Sequence, residues 1–391
     1  MHAEGSVATG FEGVRQAFEA NFAERGEVGA ACAVYLDGRP VVDLWGGVAD
    51  ARTGRRWDRD TLALVYSTTK GVTAICAHLL AQRGALDLDA PVVRYWREFE
   101  TAAKVATTVR DLLSHRAGLP TLEPKLDRAQ ALAWQPAVDA LAAQAPLWPP
   151  GSRHGYHAVT YGWLVGEVIR RVSGRSVGRF LADELAGPLG LDLWIGLPAA
   201  EEHRVARLLA PGPIHLSQEE MAAMPAEQLA RLRAMADPGS LMQRALNPTD
   251  PPFSFNSPEL HAAELPGANG IGTARALARL YAATIGPLDG VRVLDAATVA
   301  GATVERSAGP DAVLGVDTRF GSGFFLPSPF SPLMGPGSFG HAGAGGSLAF
   351  ADPDAGVGFA YVMNQMQQGL AADPRPAALV SALRHALTSA G

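Results

Sequence analysis

The sequence predicts a mixed α/β fold (α+β), in which an antiparallel sheet is flanked by helices and interrupted by an inserted, mostly helical domain. Three observations carry this expectation. Near the start, "GAACAVYLDGRPVVDLWGGVAD" gives two apolar runs hinged at Asp37-Gly38, a dipeptide suited to a two-residue hairpin. Near the end, "GSLAFADPDAGVGFAYVMNQ" gives two further strand-like runs around a turn at 352–356. Between them lies a long middle rich in Ala, Leu and Arg with helical spacing, as in "TVRDLLSHRAG", "YGWLVGEVIRRVSG" and "QEEMAAMPAEQLARLRAMA". The economical arrangement joins residues 1–60 and 285–391 into one discontinuous α/β domain, with 61–284 as the helical domain. A cleft between the two is the expected pocket.

Each element has its own signal. A helix-like "FEGVRQAFEANFAERG" precedes the first hairpin, and a helical "RPAALVSALRHALTSA" follows the last strand. In "LVYSTTKGVTAIC" an extended stretch turns helical, and Val72, Ile75, Ala77, Leu79 and Leu80 are spaced to bury one helix face. Residues 197–268 are rich in loops and proline ("APGPIHL", "NPTDPPFSFNSPEL"), the character of a lid or pocket wall.

Composition narrows the function. With 391 residues, 48% of them hydrophobic, the chain can build a large core. Its 33 basic and 39 acidic residues give no basic field for a phosphate backbone, so nucleic acid is not an expected partner. The start, "MHAEGSVATGFEGVRQ", has no basic segment followed by an apolar run, and the expected location is cytoplasmic. No stretch approaches the roughly 20 apolar residues that cross a bilayer, so no membrane association is expected. Cys32 and Cys76 lie in apolar segments without metal spacing and read as two buried thiols.

The chemistry begins with Ser67 and Lys70, one helical turn apart, where the amine can approach the serine oxygen. A serine alcohol needs a base, and a lysine serves as one only when burial or nearby positive charge lowers its pKa. The helix N-terminus adds N–H groups that favour negative charge. Tyr156 follows a Pro-Pro-Gly turn and precedes a helix, where a phenol can face a cleft. "FGHAGAGGSLAFADP" is a glycine-dense run entering a strand, and such glycines permit close backbone approach to another molecule. Any of the three alone has a structural explanation: a cap, a packed ring or a bulged edge.

Together and in this order, "YSTTKGVTA", "VRDLLSHRAGLP", "PGSRHGYHAVTYGWLVGEVI" and "GHAGAGGSLAFADP" resemble the serine β-lactamase and penicillin-binding-protein superfamily. The resemblance spans most of the chain and is strongest to the class C-like branch of family VIII carboxylesterases. It implies a class C β-lactamase-like fold and an acylated Ser67. Lys70 and Tyr156 would share the general-base and general-acid roles. It also implies an oxyanion hole from the backbone N–H groups of Ser67 and Ala344, with His341, Gly343, Ala344 and Gly345 against the substrate. No cofactor or metal is expected; the implied partner is a small-molecule ester, and a homo-oligomer is compatible with the sequence.

Two departures shape the substrate expectation. Where the lactamases carry an asparagine two residues after the tyrosine, this chain has Ala158, whose side chain neither donates nor accepts. Where they carry the Lys of Lys-Thr-Gly, it has His341, mostly neutral at pH 7. Both favour an uncharged ester of a small or medium acyl group over a β-lactam or D-amino-acid peptide. An acyltransferase and a non-catalytic penicillin-recognising protein are the other readings of the same fold. "GRSVG", centred on Ser176, matches a nucleophile elbow, but it lies between two helices and reads as a cap. His154 and His157 have H-x-x-H spacing without a third ligand, and read as surface or supporting histidines. His115 and Asp111 suggest a triad that loop packing explains as well.

Overall fold

The computed structural model describes residues 2–212 and 217–389. Residues 213–216, part of the predicted pocket wall, lie outside the described residues. The N-terminal half of the main sheet comprises β1 (Glu4–Val7), β2 (Gly29–Leu36), β3 (Arg39–Asp50) and β4 (Arg55–Arg56); the C-terminal half comprises β5 (Phe339–Ala342), β6 (Leu348–Asp352) and β7 (Val357–Met363). Among the described residues its order is β1-β3-β2-β7-β6-β5, with β4 on β3, and every pairing is antiparallel. The two ends of the chain therefore meet at the centre, where Phe359 is opposite Val34.

The hairpin signals act as expected. Asp37 and Gly38 have φ of 47° and 76°, the paired positive values of a turn that matches strand twist. At the other hairpin the Asp352 carboxylate accepts from the Ala355 N–H at 2.9 Å and fixes the bend.

Both sheet faces are covered, so β7 reads "VGFAYVM" without polar interruption. Val357, Phe359, Tyr361 and Met363 face an outer layer formed by α1 (Glu12–Glu24) and the C-terminal helix Pro374–Ser389, with Val14, Phe18, Leu379 and Leu383 in the same cluster. Ala360 and Val362 face the main core, which contains α2 (Thr68–Gln82). The helix Ala274–Ile285 also packs across β2, β6 and β7, although the sequence division ends the helical part at residue 284. Gly358 explains this placement: a Cβ there would lie 2.6 Å from the Ala278 carbonyl oxygen, so only glycine lets the helix backbone approach this closely.

α2 is more deeply buried than an amphipathic pattern implies. Every residue from Thr68 to Leu80 is buried rather than one face alone, which makes it a central strut. It packs against the helix Thr160–Ser173, which ends on Gly174 in the left-handed conformation. A small antiparallel sheet of Ala63–Leu64, Ile271–Gly272 and Leu193–Trp194, unforeseen in the sequence, fixes the entry into α2.

Candidate active site

Ser67 is the boundary residue of α2, and its side chain makes no capping hydrogen bond, so the oxygen is left for other work. The preceding Tyr66 has φ of 44°, an uncommon backbone for a bulky residue. Two contacts hold it there: its ring lies 4.6 Å from that of Phe255, and its O–H donates to Met366 Sδ at 3.4 Å. Ser67 and Tyr66 are half-buried between fully buried neighbours, so the serine is not sealed from solvent.

Lys70 Nζ lies 3.1 Å from Ser67 Oγ and donates to the carbonyls of Ala158 at 2.6 Å and Gly267 at 2.7 Å. No carboxylate is paired with it among the described residues, and burial drives its pKa well below the ordinary 10.5. A neutral amine has two N–H groups and one lone pair. The two carbonyls take the N–H groups, and the lone pair is left facing the Ser67 O–H.

Tyr156 lies across the lysine, its ring centroid 4.8 Å from Nζ, with the Ser67 hydroxyl beside its phenol. Burial raises the phenol pKa above 10, and the Asp311 charge adds to the shift, so it stays protonated. Rings of Phe320 and Phe325 stack beside it at 6.2 and 6.1 Å. Its backbone is set by Asp311, whose Oδ1 accepts from the N–H groups of Tyr156, Val313 and Leu314 at 3.0, 2.9 and 2.9 Å.

The glycine-rich run is the turn between β5 and β6, and it sits on the N-terminus of α2. Thr68 Oγ1 donates to the His341 carbonyl at 3.3 Å and lies 3.1 Å from Ser347 Oγ, which donates to the Val65 carbonyl at 2.8 Å. At Gly343 a Cβ would fall 2.2 Å from that carbonyl oxygen, so the turn could not seat with any side chain there. Among the described residues no group accepts from the backbone N–H of Ser67 or of Ala344. Both donors remain available to an oxygen beside them.

His341 is buried on β5, 4.3 Å from the Phe325 ring and 6.1 Å from that of Tyr156. Its Nδ1–H donates to the Ala342 carbonyl at 2.7 Å, while Nε2 has no partner among the described residues. Desolvation, reinforced by Lys70, holds its pKa well below 6.5, so it presents a neutral acceptor. Ala158 contributes its carbonyl to Lys70 and its methyl to the apolar cluster around Tyr156. Of the segment 197–268, Phe255 reaches Tyr66, and Leu241, Ala245 and Leu246 join the Tyr156 cluster.

The remaining candidates separate from this site. Ser176 Oγ caps the helix Val177–Leu181, accepting from Arg179 N–H at 3.2 Å and donating to Glu264 at 2.6 Å. His154 and His157 are both buried rather than on the surface, because each is satisfied internally. His154 Nε2 meets Thr318 Oγ1 at 2.9 Å, and His157 bridges Leu119 N–H and the Gly155 carbonyl. His115 Nδ1 accepts from the His157 N–H, while Asp111 completes a capping box with Thr108, so no triad forms. Among the described residues, no group of three or more His, Cys, Asp or Glu could hold a metal ion, and no helix is long and apolar enough to cross a membrane. Cys32 and Cys76 are buried free thiols.

Several supports are absent from the sequence reading: Asp311, the Thr68–Ser347 clamp and the Gly267 carbonyl. Each reaches its partner at the site across more than 150 positions of chain, and a sequence pattern carries no signal for such contacts. The one available hint is glycine at 162 and 267, where a Cβ on Gly162 would lie 2.5 Å from the Gly267 nitrogen.

This fold and family define a serine hydrolase. The chain belongs to the β-lactamase family, whose sequence model, described as Beta-lactamase, matches residues 14–383. It is 39% identical over 372 residues to the esterase/beta-lactamase LipL of Mycobacterium tuberculosis (strain ATCC 25618 / H37Rv), covering 93% of this chain and 83% of that protein. It superposes on the crystal structure of a family VIII carboxylesterase with a TM-score of 0.87 at 39% identity, covering 99% and 100% of the two chains. A penicillin-binding-protein homologue from Caulobacter crescentus gives 0.84 at 40% identity, with coverage of 99% and 100%.

Proposed function

We propose that this chain is a serine carboxylesterase that cleaves esters of small or medium acyl groups through an acyl-enzyme on Ser67. The observation that carries the reading is the Lys70 amine, stripped of counter-ion and held by two carbonyls with its lone pair towards Ser67 Oγ. Neutral Lys70 takes the Ser67 proton as Oγ attacks the ester carbonyl carbon. The carbonyl electrons move onto its oxygen, which the N–H groups of Ser67 and Ala344 receive; one such donor is typically worth about 3 kcal/mol of barrier. Collapse expels the alkoxide, which takes a proton from the Tyr156 phenol, and the Lys70 ammonium returns its proton to the phenolate beside it, leaving both groups as they began. Water then repeats the sequence on the acyl-enzyme and releases the acid.

Ester preference follows from the absent cation. A lactam or peptide carboxylate would meet His341 Nε2, an unprotonated acceptor that repels it, and the apolar cluster of Trp148, Val313, Phe320 and Phe325 around Tyr156. The names of the relatives above, an esterase/beta-lactamase and a carboxylesterase, support the same reading. The test is a panel of chromogenic esters beside a chromogenic cephalosporin. We expect kcat/KM for the best short ester to exceed that for the cephalosporin by about two orders of magnitude or more; equal values would overturn the preference.

A further inference from the structure

Behind the glycine-rich turn lies a cation that the proposed reaction does not use. Arg375, at the start of the C-terminal helix, is fully buried, and all five of its N–H donors have acceptors. Nε and Nη2 fork onto Asp373 at 3.1 and 2.8 Å, and Nη1 meets Glu27 at 3.1 Å and the Gln365 carbonyl at 2.8 Å. The remaining Nη2 proton goes to the Gly345 carbonyl at 2.6 Å, one residue beyond Ala344. That carbonyl also accepts from the Gln367 N–H at 3.0 Å. The guanidinium thus ties the turn to the 365–367 run, whose Met366 receives the O–H of Tyr66 beside the serine. Gly346 is shaped to this arrangement: a Cβ there would lie 2.5 Å from both Arg375 Nη2 and Asp373 Oδ2.

We propose that Arg375 is a positioning residue that sets the Ala344 N–H for the oxyanion, with Asp373 aiming its fork. The inference rests on the reading of Ser67 as nucleophile and Ala344 as donor. A simple structural pair would need only Glu27 and Asp373; the bond to Gly345 is the one that reaches the site. Lysine cannot reproduce it, because one ammonium cannot satisfy the carboxylate fork, Glu27 and two carbonyls in a plane.

The experiment measures ester kinetics on folded full-length Arg375→Lys, Asp373→Asn and Glu27→Gln, each with a thermal melt, beside wild type and Ser67→Ala. Arg375→Lys should lower kcat about 10- to 100-fold, less than the roughly 10²–10³-fold cost of losing an oxyanion donor outright because the N–H is displaced rather than removed, with KM within about threefold. Asp373→Asn keeps the cation but turns an amide N–H towards Nη2, and should lower kcat about tenfold. Glu27→Gln should lower the melting temperature and leave kcat within about threefold. If Arg375→Lys does not fold, Asp373→Asn decides. Folded variants with wild-type kcat, or with losses in KM alone, overturn the inference while the Ser67 assignment stands. Wild-type turnover that survives Ser67→Ala overturns that assignment and the inference together.

Discussion

The proposed chemistry rests on one side chain whose ordinary behaviour is reversed by its surroundings. Lys70 is a strong base in water, but burial without a counter-ion disfavours its charged form. Its folded pKa is depressed, so as pH rises through that value the amine loses its proton and the base appears. The acylation rate should therefore climb with pH and level off well below 10.5; a pre-steady-state pH profile still rising at 10.5 would contradict this. Lys70→Ala should cost at least about 10³-fold in kcat, and Tyr156→Phe, which keeps the ring and removes the acid, about 10²-fold or more. Ser67, Lys70 and Tyr156 could be singled out as candidates because residue type and chain order are sequence properties. Asp311 was not, since nothing in "GPDAVLG" says that its carboxylate will collect three N–H groups around Tyr156.

At the scale of elements, the site is a junction between the N-terminus of α2 and the turn between β5 and β6. The sequence showed both pieces, a serine at a helix start and a glycine run entering a strand. It did not show the join, because Thr68 and Ser347 are ordinary hydroxyl residues until the fold brings them to 3.1 Å. Ser347→Ala removes the bond to the Val65 carbonyl, which keeps the Thr68 N–H at 3.1 Å, and costs the worth of one hydrogen bond, about 0.5–1.5 kcal/mol in stability. It should also lower kcat about tenfold at little change in KM, since the two proposed oxyanion donors lose their mutual register. Steady-state kinetics with a denaturant melt checks both parts, and an unchanged kcat would remove the clamp from the account. The hairpins were the most legible elements, for Asp37-Gly38 encodes its own positive φ values. The helix Ala274–Ile285 was the least, because its place depends on Gly358 leaving space on a distant strand.

At the scale of the whole molecule, a discontinuous sheet makes both chain ends answerable for one site. β2 and β7 pair at its centre, and Phe350 and Phe359 stack at 4.9 Å against the outer helices with no exposure. Phe359→Ala should cost about 3–5 kcal/mol by chemical denaturation, while the folded fraction keeps its kinetic constants. A loss of kcat larger than the loss of folded protein would show that the outer layer tunes the site directly. The central claim is that Ser67 alone is the nucleophile, and Ser176, with its oxygen committed to Arg179 and Glu264, is a cap. It is tested most directly by treating the protein with a serine-directed phosphonate and mapping the adduct by peptide mass spectrometry. The account predicts one adduct, on the peptide containing "VYSTTK", lost in Ser67→Ala and retained in Ser176→Ala; an adduct on the "GRSVG" peptide, or activity that persists when Ser67 is removed, would contradict it.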